Sequence, residues 1–281
     1  MSSELNNKNP DVSKTVSSKF SDAGSFKTPA RNVKESGAKR MFDSFEKTPP
    51  RVEKISSNYI LGALPDFDAA RLIPQLDFVS LAAGAKICTT GEFNRYVYFP
   101  ETAVASDISD LADGGTIETA MTGREGATGV DAVLGSQPTK HRSQITLGGN
   151  AWRIKAEMLK QEFARAGKLQ TLLLEYVSRH INQISQRLIC KSFHLLENRL
   201  CGWLLMLRDR VENNQLILTQ ENVALLLGAN RPSITLAAQT LRHKGLINYS
   251  RGGISILDRQ GLENSACECY CVLRADNSNF S

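Results

Sequence analysis

The stretch from Leu218 to Asp258 constrains this chain more than any other. Thr219 precedes an apolar run, where its hydroxyl can accept a free N–H two or three residues on, so it predicts a helix N-cap. A short helix then runs to Leu227, and Gly228 supplies the positive φ that ends it. The cycle repeats at once. Asn230 is placed to cap a second helix from about Arg231 to Lys244, and Pro232 lies in its first turn, where no N–H partner is lost. Ile234, Ala237, Ala238 and Leu241 give this helix a core face, and the small Ala224, Ala237 and Ala238 permit a close crossing. Two helices joined by so short a glycine-containing turn make a helix-turn-helix.

The unit continues into a hairpin. Leu246 to Tyr249 and Ile254 to Leu257 are apolar, β-branched flanks around the turn from Ser250 to Gly253. A hairpin directly after the second helix makes a winged helix, with Arg251 at its tip. Residues 187–259 carry ten Lys and Arg against five Asp and Glu, whereas residues 59–158 carry eight against twelve. The net charge of +5 is therefore a basic module beside an acidic one. A basic winged helix fits duplex DNA, because neutralised phosphates supply most non-specific affinity. The predicted base-facing residues are Arg231, which can pair with guanine, Gln239, which can pair with adenine, and Thr235. The predicted phosphate contacts are Thr219, Gln220, Asn230, Ser233, Arg242 and Arg251. A winged helix used only for protein contacts is the alternative of a different class.

Upstream, short apolar stretches recur every 8 to 15 residues between Tyr59 and Ile154, broken by Gly, Pro, Asn and Asp. They predict an antiparallel jelly-roll barrel, a double-stranded β-helix. Only Asp66 to Ile73 and Met158 to Ala166 read as helix there. From Leu169 to Leu188 the period changes. Leu169, Leu173, Tyr176, His180, Ile184 and Leu188 recur at spacings of three and four, which predicts a long helix suited to self-association. His180 reads as a packed histidine. A further amphipathic helix carrying Trp203 is expected from Ser192 to about Arg210.

Residues 1–58 are rich in Ser, Lys, Asn and Pro and read as a disordered basic tail, with a near-repeat at Ser25 to Arg31 and Ser44 to Arg51. The expected organisation is therefore α+β: tail 1–58, sensor barrel 59–158, dimerisation helix 159–190, winged helix 191–271 and a polar tail 272–281. No apolar run approaches a membrane span and no secretory signal is visible, so a cytoplasmic protein is expected. Its six cysteines are then thiols. Cys267, Cys269 and Cys271 alternate, so on a strand they would face one way; they read as structural thiols, with no metal site expected. No P-loop, G-x-S-x-G or H-E-x-x-H is present, and only His141 of the four histidines falls in the barrel, so no enzymatic role is expected.

The winged-helix stretch, followed by Arg259 to Glu263 and the ending Cys267 to Tyr270, resembles the Crp/Fnr family of bacterial transcription regulators. The order of barrel, long helix and winged helix agrees. The resemblance implies a homodimer on a pseudo-palindromic operator, with RNA polymerase as a further partner. It places Arg231 at the family's leading base-contacting arginine, and Thr219, Gln220, Asn230 and Ser233 at phosphate-touching positions. Pro232 and Leu236 stand where cyclic-AMP-binding members carry a glutamate and a second arginine, so the operator should differ from theirs.

The family's cyclic-nucleotide cassette is departed from as well. Ala127 occupies its glutamate position, and Arg142 and Ser143 lie about three residues out of register. A candidate effector pocket is thus reduced to Arg124, Glu125, Ala127, Arg142 and Ser143. No cofactor is predicted, and the expectation is a regulator with a different effector or a constitutively competent one. The alternatives are a cyclic nucleotide held by a divergent cassette, and a haem with Cys88 or His141 as axial ligand. An iron–sulfur cluster of the family's N-terminal kind is not expected, since residues 1–58 lack cysteine.

Overall fold

The computed structural model describes residues 57–278 apart from Asp113, Ser136 and Arg251, so the predicted tail with its near-repeat, and the wing-tip arginine, lie outside the described residues. Asn58, the last residue assigned to that tail, is fully buried. Its Oδ1 accepts from the N–H groups of Ile60 and Leu61 at 3.2 and 3.3 Å, capping α1 (Tyr59–Gly62). Its Nδ2 donates to the carbonyls of Pro100 and Gly126 at 2.9 and 2.8 Å. One amide thus uses both its donor and acceptor sides to fasten the chain's entry to the sheet region.

After α2 (Asp66–Leu72) come β1 (Asp77–Leu81), β2 (Lys86–Cys88), β3 (Tyr96–Pro100), β4 (Val104–Asp110), β5 (Thr116–Thr122), α3 (Asp131–Leu134), β6 (Arg142–Leu147) and β7 (Gly149–Lys155). They pair antiparallel in two sheets, ordered β1-β7-β3 and β2-β6-β4-β5. Among the described residues no ladder joins the sheets, so the expected barrel is an open β-roll. Strand β1 escapes sequence reading because it is a mostly exposed edge, with Phe78 55% exposed, and lacks the buried alternation of an inner strand.

Helices α4 (Ala156–Phe163) and α5 (Lys168–Phe193) follow. Leu169, Leu172, Leu173 and Tyr176 of α5 are buried with Val97, Phe99, Ile154 and Leu159. Burying each such side chain contributes roughly 1.5–3 kcal/mol, so the first half of α5 belongs to the core of the roll. The second half presents Ile181, Ile184 and Leu188 to solvent. The apolar stripe read as one seam is thus two, one facing the roll and one uncovered.

The chain turns at His194 and Leu195, both extended, and α6 (Leu196–Val211) begins four residues later than expected. Every residue from Leu200 to Leu207 is buried, which corrects the amphipathic reading: α6 is a central helix whose middle two turns are apolar on all sides. Around it lie β8 (Gln215–Leu216), α7 (Gln220–Leu227), α8 (Arg231–His243), β9 (Ile247–Ser250), β10 (Gly253–Ile256), α9 (Arg259–Ser265) and α10 (Glu268–Ser278), with the wing sheet ordered β8-β10-β9. Val104, Ile108, Met121 and Leu147 of the larger roll sheet share this core.

Cys269 and Cys271 lie on a helix, not a strand, with Cys267 just before it. Cys267, Tyr270 and Leu273 are buried at spacings of three, the stripe of a helix, while Cys271 is exposed. The alternation of cysteines mimicked a strand period, and the expected tail from 272 is helical as far as Ser278. Among the described residues no helix is long and apolar enough to cross a membrane.

Candidate nucleic-acid interface

The α7–α8 unit forms by the local signals in its sequence. The Thr219 hydroxyl accepts from the Asn222 N–H at 3.1 Å, and Gly228 adopts φ +56° at the end of α7. Asn230 Oδ1 accepts from the Ser233 N–H at 2.8 Å and starts α8. Ile234, Ala237, Ala238 and Leu241 are buried. Arg231, Thr235, Gln239 and Arg242 fall within an arc of about 80° that borders this buried face, given roughly 100° per residue.

Arg231, Gln239, Arg242, Asn230 and Thr219 are exposed, whereas Gln220, Ser233 and Thr235 are half-buried. The Thr235 hydroxyl donates to Gln220 Oε1 at 2.9 Å, so one helix positions the amide of the other. Leu236 is 66% exposed beside this face, an apolar side chain where an arginine would add charge.

The unit is mounted on the rest of the chain by residues that local patterns do not reveal. Lys191 Nζ, near the end of α5, donates to the Gly228 and Leu227 carbonyls at 2.6 and 3.3 Å. Arg199 of α6 donates to the same Leu227 carbonyl at 2.6 Å. Two cations thus close the C-terminal end of α7, where unpaired carbonyls carry partial negative charge. Burial, and then the charge of Arg199, hold the Lys191 ammonium below its usual range. Beneath, fully buried Glu118 of β5 receives Trp203 Nε1 at 3.0 Å and the Ser106 hydroxyl at 3.1 Å, and pairs with Arg187 at 3.2 Å. Burial pushes its carboxyl up, and these three partners only partly offset it.

Residues 198–265 match the family described as the Crp-like helix-turn-helix domain. No curated protein matches the chain by sequence. The fold of the chain is that of Crp/Fnr-type proteins. A regulator of the crp/fnr family from Eubacterium rectale superposes with a TM-score of 0.59 at 19% identity, covering 74% of this chain and 98% of the other. FixK2 from Bradyrhizobium japonicum gives 0.58 at 15%, covering 68% and 98%. The c-di-GMP-responsive regulator CLP of Xanthomonas campestris gives 0.57 at 14%, covering 69% and 100%.

In the Crp/Fnr-type roll of this chain, the residues named for an effector are engaged with the protein itself. Arg124 pairs with Glu212, and its guanidinium lies 5.6 Å from the Tyr59 ring centroid. Glu125 is buried, accepting from the Gly123 N–H at 3.1 Å and from Arg210 Nε at 2.7 Å. Ala127 is 2% exposed, and a Cβ on neighbouring Gly126 would meet the Tyr176 ring at 2.0 Å. Arg142 pairs with Asp110 at 2.7 Å, and Ser143 donates to Asp107. Arg124 and Glu125 are thus held by the end of α6 and its following turn, and Arg142 and Ser143 by β4. His180 is packed: its Nε2 lies 3.1 Å from Asp107 Oδ2 and its Nδ1 3.3 Å from the Tyr176 hydroxyl. Cys88 lies 3.9 Å from the His141 carbonyl, while the His141 ring faces Asp107 at 3.6 Å.

Proposed function

We propose that this chain is a sequence-specific DNA-binding transcription regulator, working in the cytoplasm as a homodimer on a pseudo-palindromic operator. The observation that carries the reading is the arc of Arg231, Thr235, Gln239 and Arg242 along a helix whose adjoining face is buried, within a stretch that matches the Crp-like helix-turn-helix domain. In this reading α8 enters the major groove. Arg231 reads guanine, Gln239 reads adenine and Thr235 contacts a base edge. Thr219, Gln220, Asn230, Ser233, Arg242 and Arg251 contact phosphates and set the register. The dimer forms along the exposed side of α5, where Leu174, Ile181 and Leu188 repeat every seven residues. RNA polymerase is the further partner of a regulator that activates.

The roll then acts on a ligand other than a cyclic nucleotide, or the protein is competent without one. Support comes from Arg124 and Arg142, which are already paired with carboxylates, so neither offers the fork that a cyclic phosphate needs. Site selection from random duplexes by the purified full chain tests the proposal. Recovery of a two-fold-symmetric motif, with binding that weakens steeply as salt rises, is expected. Calorimetry with cyclic AMP and cyclic GMP tests the second part, and micromolar binding of either would overturn it.

A further inference from the structure

Cys190 and His194 lie one turn apart at the end of α5, and Cys267 and Cys269 lie at the start of α10. The fold brings these two pairs together. Cys190 Sγ is 3.5 Å from Cys267 Sγ, Cys269 Sγ is 3.4 Å from His194 Nδ1, and all four atoms lie within 4.8 Å of one another. Zn–S bonds of about 2.3 Å and Zn–N bonds of about 2.0 Å set tetrahedral ligand atoms roughly 3.5–3.8 Å apart. The observed spacing needs only small side-chain movements to meet that figure. We propose that Cys190, His194, Cys267 and Cys269 form a closed tetrahedral site for a zinc-type divalent ion, which ties the end of the long helix to the winged-helix domain.

Three further observations point to such an ion. His194 presents Nδ1 to the cluster while its Nε2 lies 3.2 Å from Glu268 Oε1. A carboxylate on the far ring nitrogen is the usual way a metal-binding imidazole is oriented and its tautomer fixed. Gln186 Nε2 donates to Cys269 Sγ at 3.0 Å, a contact that favours the thiolate. Three thiolates, one neutral imidazole and a divalent ion sum to −1, and Arg187, Lys191 and Arg199 line the same cavity. Those cations offset that charge within a low-dielectric setting. Cys271 is exposed and takes no part. The ligands are sulfur and imidazole with no carboxylate, the donor set that selects zinc over magnesium or calcium. On binding, the thiols ionise, their protons pass to solvent and no electron is transferred.

The test uses the reduced, chelator-stripped full chain, titrated with Zn2+ against a colorimetric chelator, and with Co2+ to read geometry. One ion per chain, the absorption bands of tetrahedral cobalt thiolate, and a rise in Tm with Zn2+ are expected. Cys269→Ser and His194→Ala should lower affinity at least tenfold, Glu268→Gln by roughly 10- to 100-fold, and Cys271→Ser should leave it unchanged. Alkylation of the wild-type chain gives a readout that needs no variant: Zn2+ should shield Cys190, Cys267 and Cys269 while Cys271 stays reactive. A reduced chain that takes up no Zn2+, uptake that survives both Cys269→Ser and His194→Ala, or alkylation of the three thiols unchanged by Zn2+ would each overturn the site.

Discussion

Lys191 Nζ donates to the Gly228 carbonyl at 2.6 Å, so the last turns of the long helix hold the turn of the helix-turn-helix. Arg199 shares the task through the Leu227 carbonyl. A charged donor on a partly buried helix end contributes about 1–2 kcal/mol. Lys191→Met keeps the apolar stem and removes the donor. It should lower Tm by roughly 2–6 °C. In a double-mutant cycle with Arg199→Met the two effects should not add, since both side chains serve one carbonyl. Thermal melts of the four proteins check this, and strict additivity would argue against a shared cap.

Arg231 is exposed at the first turn of α8. Arg231→Ala should therefore leave Tm unchanged while relaxing sequence selection at one operator position by roughly 1–3 kcal/mol. Competition binding with operator duplexes changed one base pair at a time reads this out. Retention of the full preference at every position would show that Arg231 does not read a base.

Leu188 and Ile181 are 68% and 57% exposed, on the half of α5 that the roll leaves bare. Leu188→Glu removes little packing within the chain, since most of the side chain faces solvent, so the protomer should remain folded. It puts a charge where two apolar faces would meet, and a desolvated, unpaired carboxylate is costly. Sedimentation should show a monomer, and operator binding should weaken at least tenfold. A Leu188→Glu dimer of wild-type stability would move the dimer contact elsewhere.

The winged helix was legible because its signals are local. Thr219, Gly228 and Asn230 each act within four residues, and the structure uses them as caps and a left-handed turn. The burial of α6 was not legible, because its arginines and acids mimic a polar face: Arg210 is buried, paired with Glu125 from 85 residues away. The cysteines show the same limit. Cys190 and Cys267 stand 77 residues apart, and the alternation of Cys267, Cys269 and Cys271 pointed to a strand until the stripe of Tyr270 and Leu273 placed them on a helix. The candidate DNA face could thus be named from sequence, while the groups that mount it on the roll could not.

Asp107 and Glu118 are buried carboxylates on neighbouring strands that titrate in opposite directions. Burial alone would raise the Asp107 carboxyl, but His180, His141 and Ser143 together hold it below its usual value of 3.8. The folded state therefore favours its ionised form. That contribution is fully present above about pH 4 and is lost as pH falls through the lowered folded value. Glu118 has the opposite sign. Its raised carboxyl contributes stability below about pH 4.5, lost as pH rises through the folded value. Urea midpoints measured at several pH values between about 3 and 7 separate the two. Asp107→Asn should start from a lower midpoint at neutral pH and fall less steeply below about pH 4 than the wild type, whereas Glu118→Gln should keep the acid slope. An Asp107→Asn profile parallel to the wild type over that window would show that the carboxylate between His180 and His141 is not what the fold loses in acid.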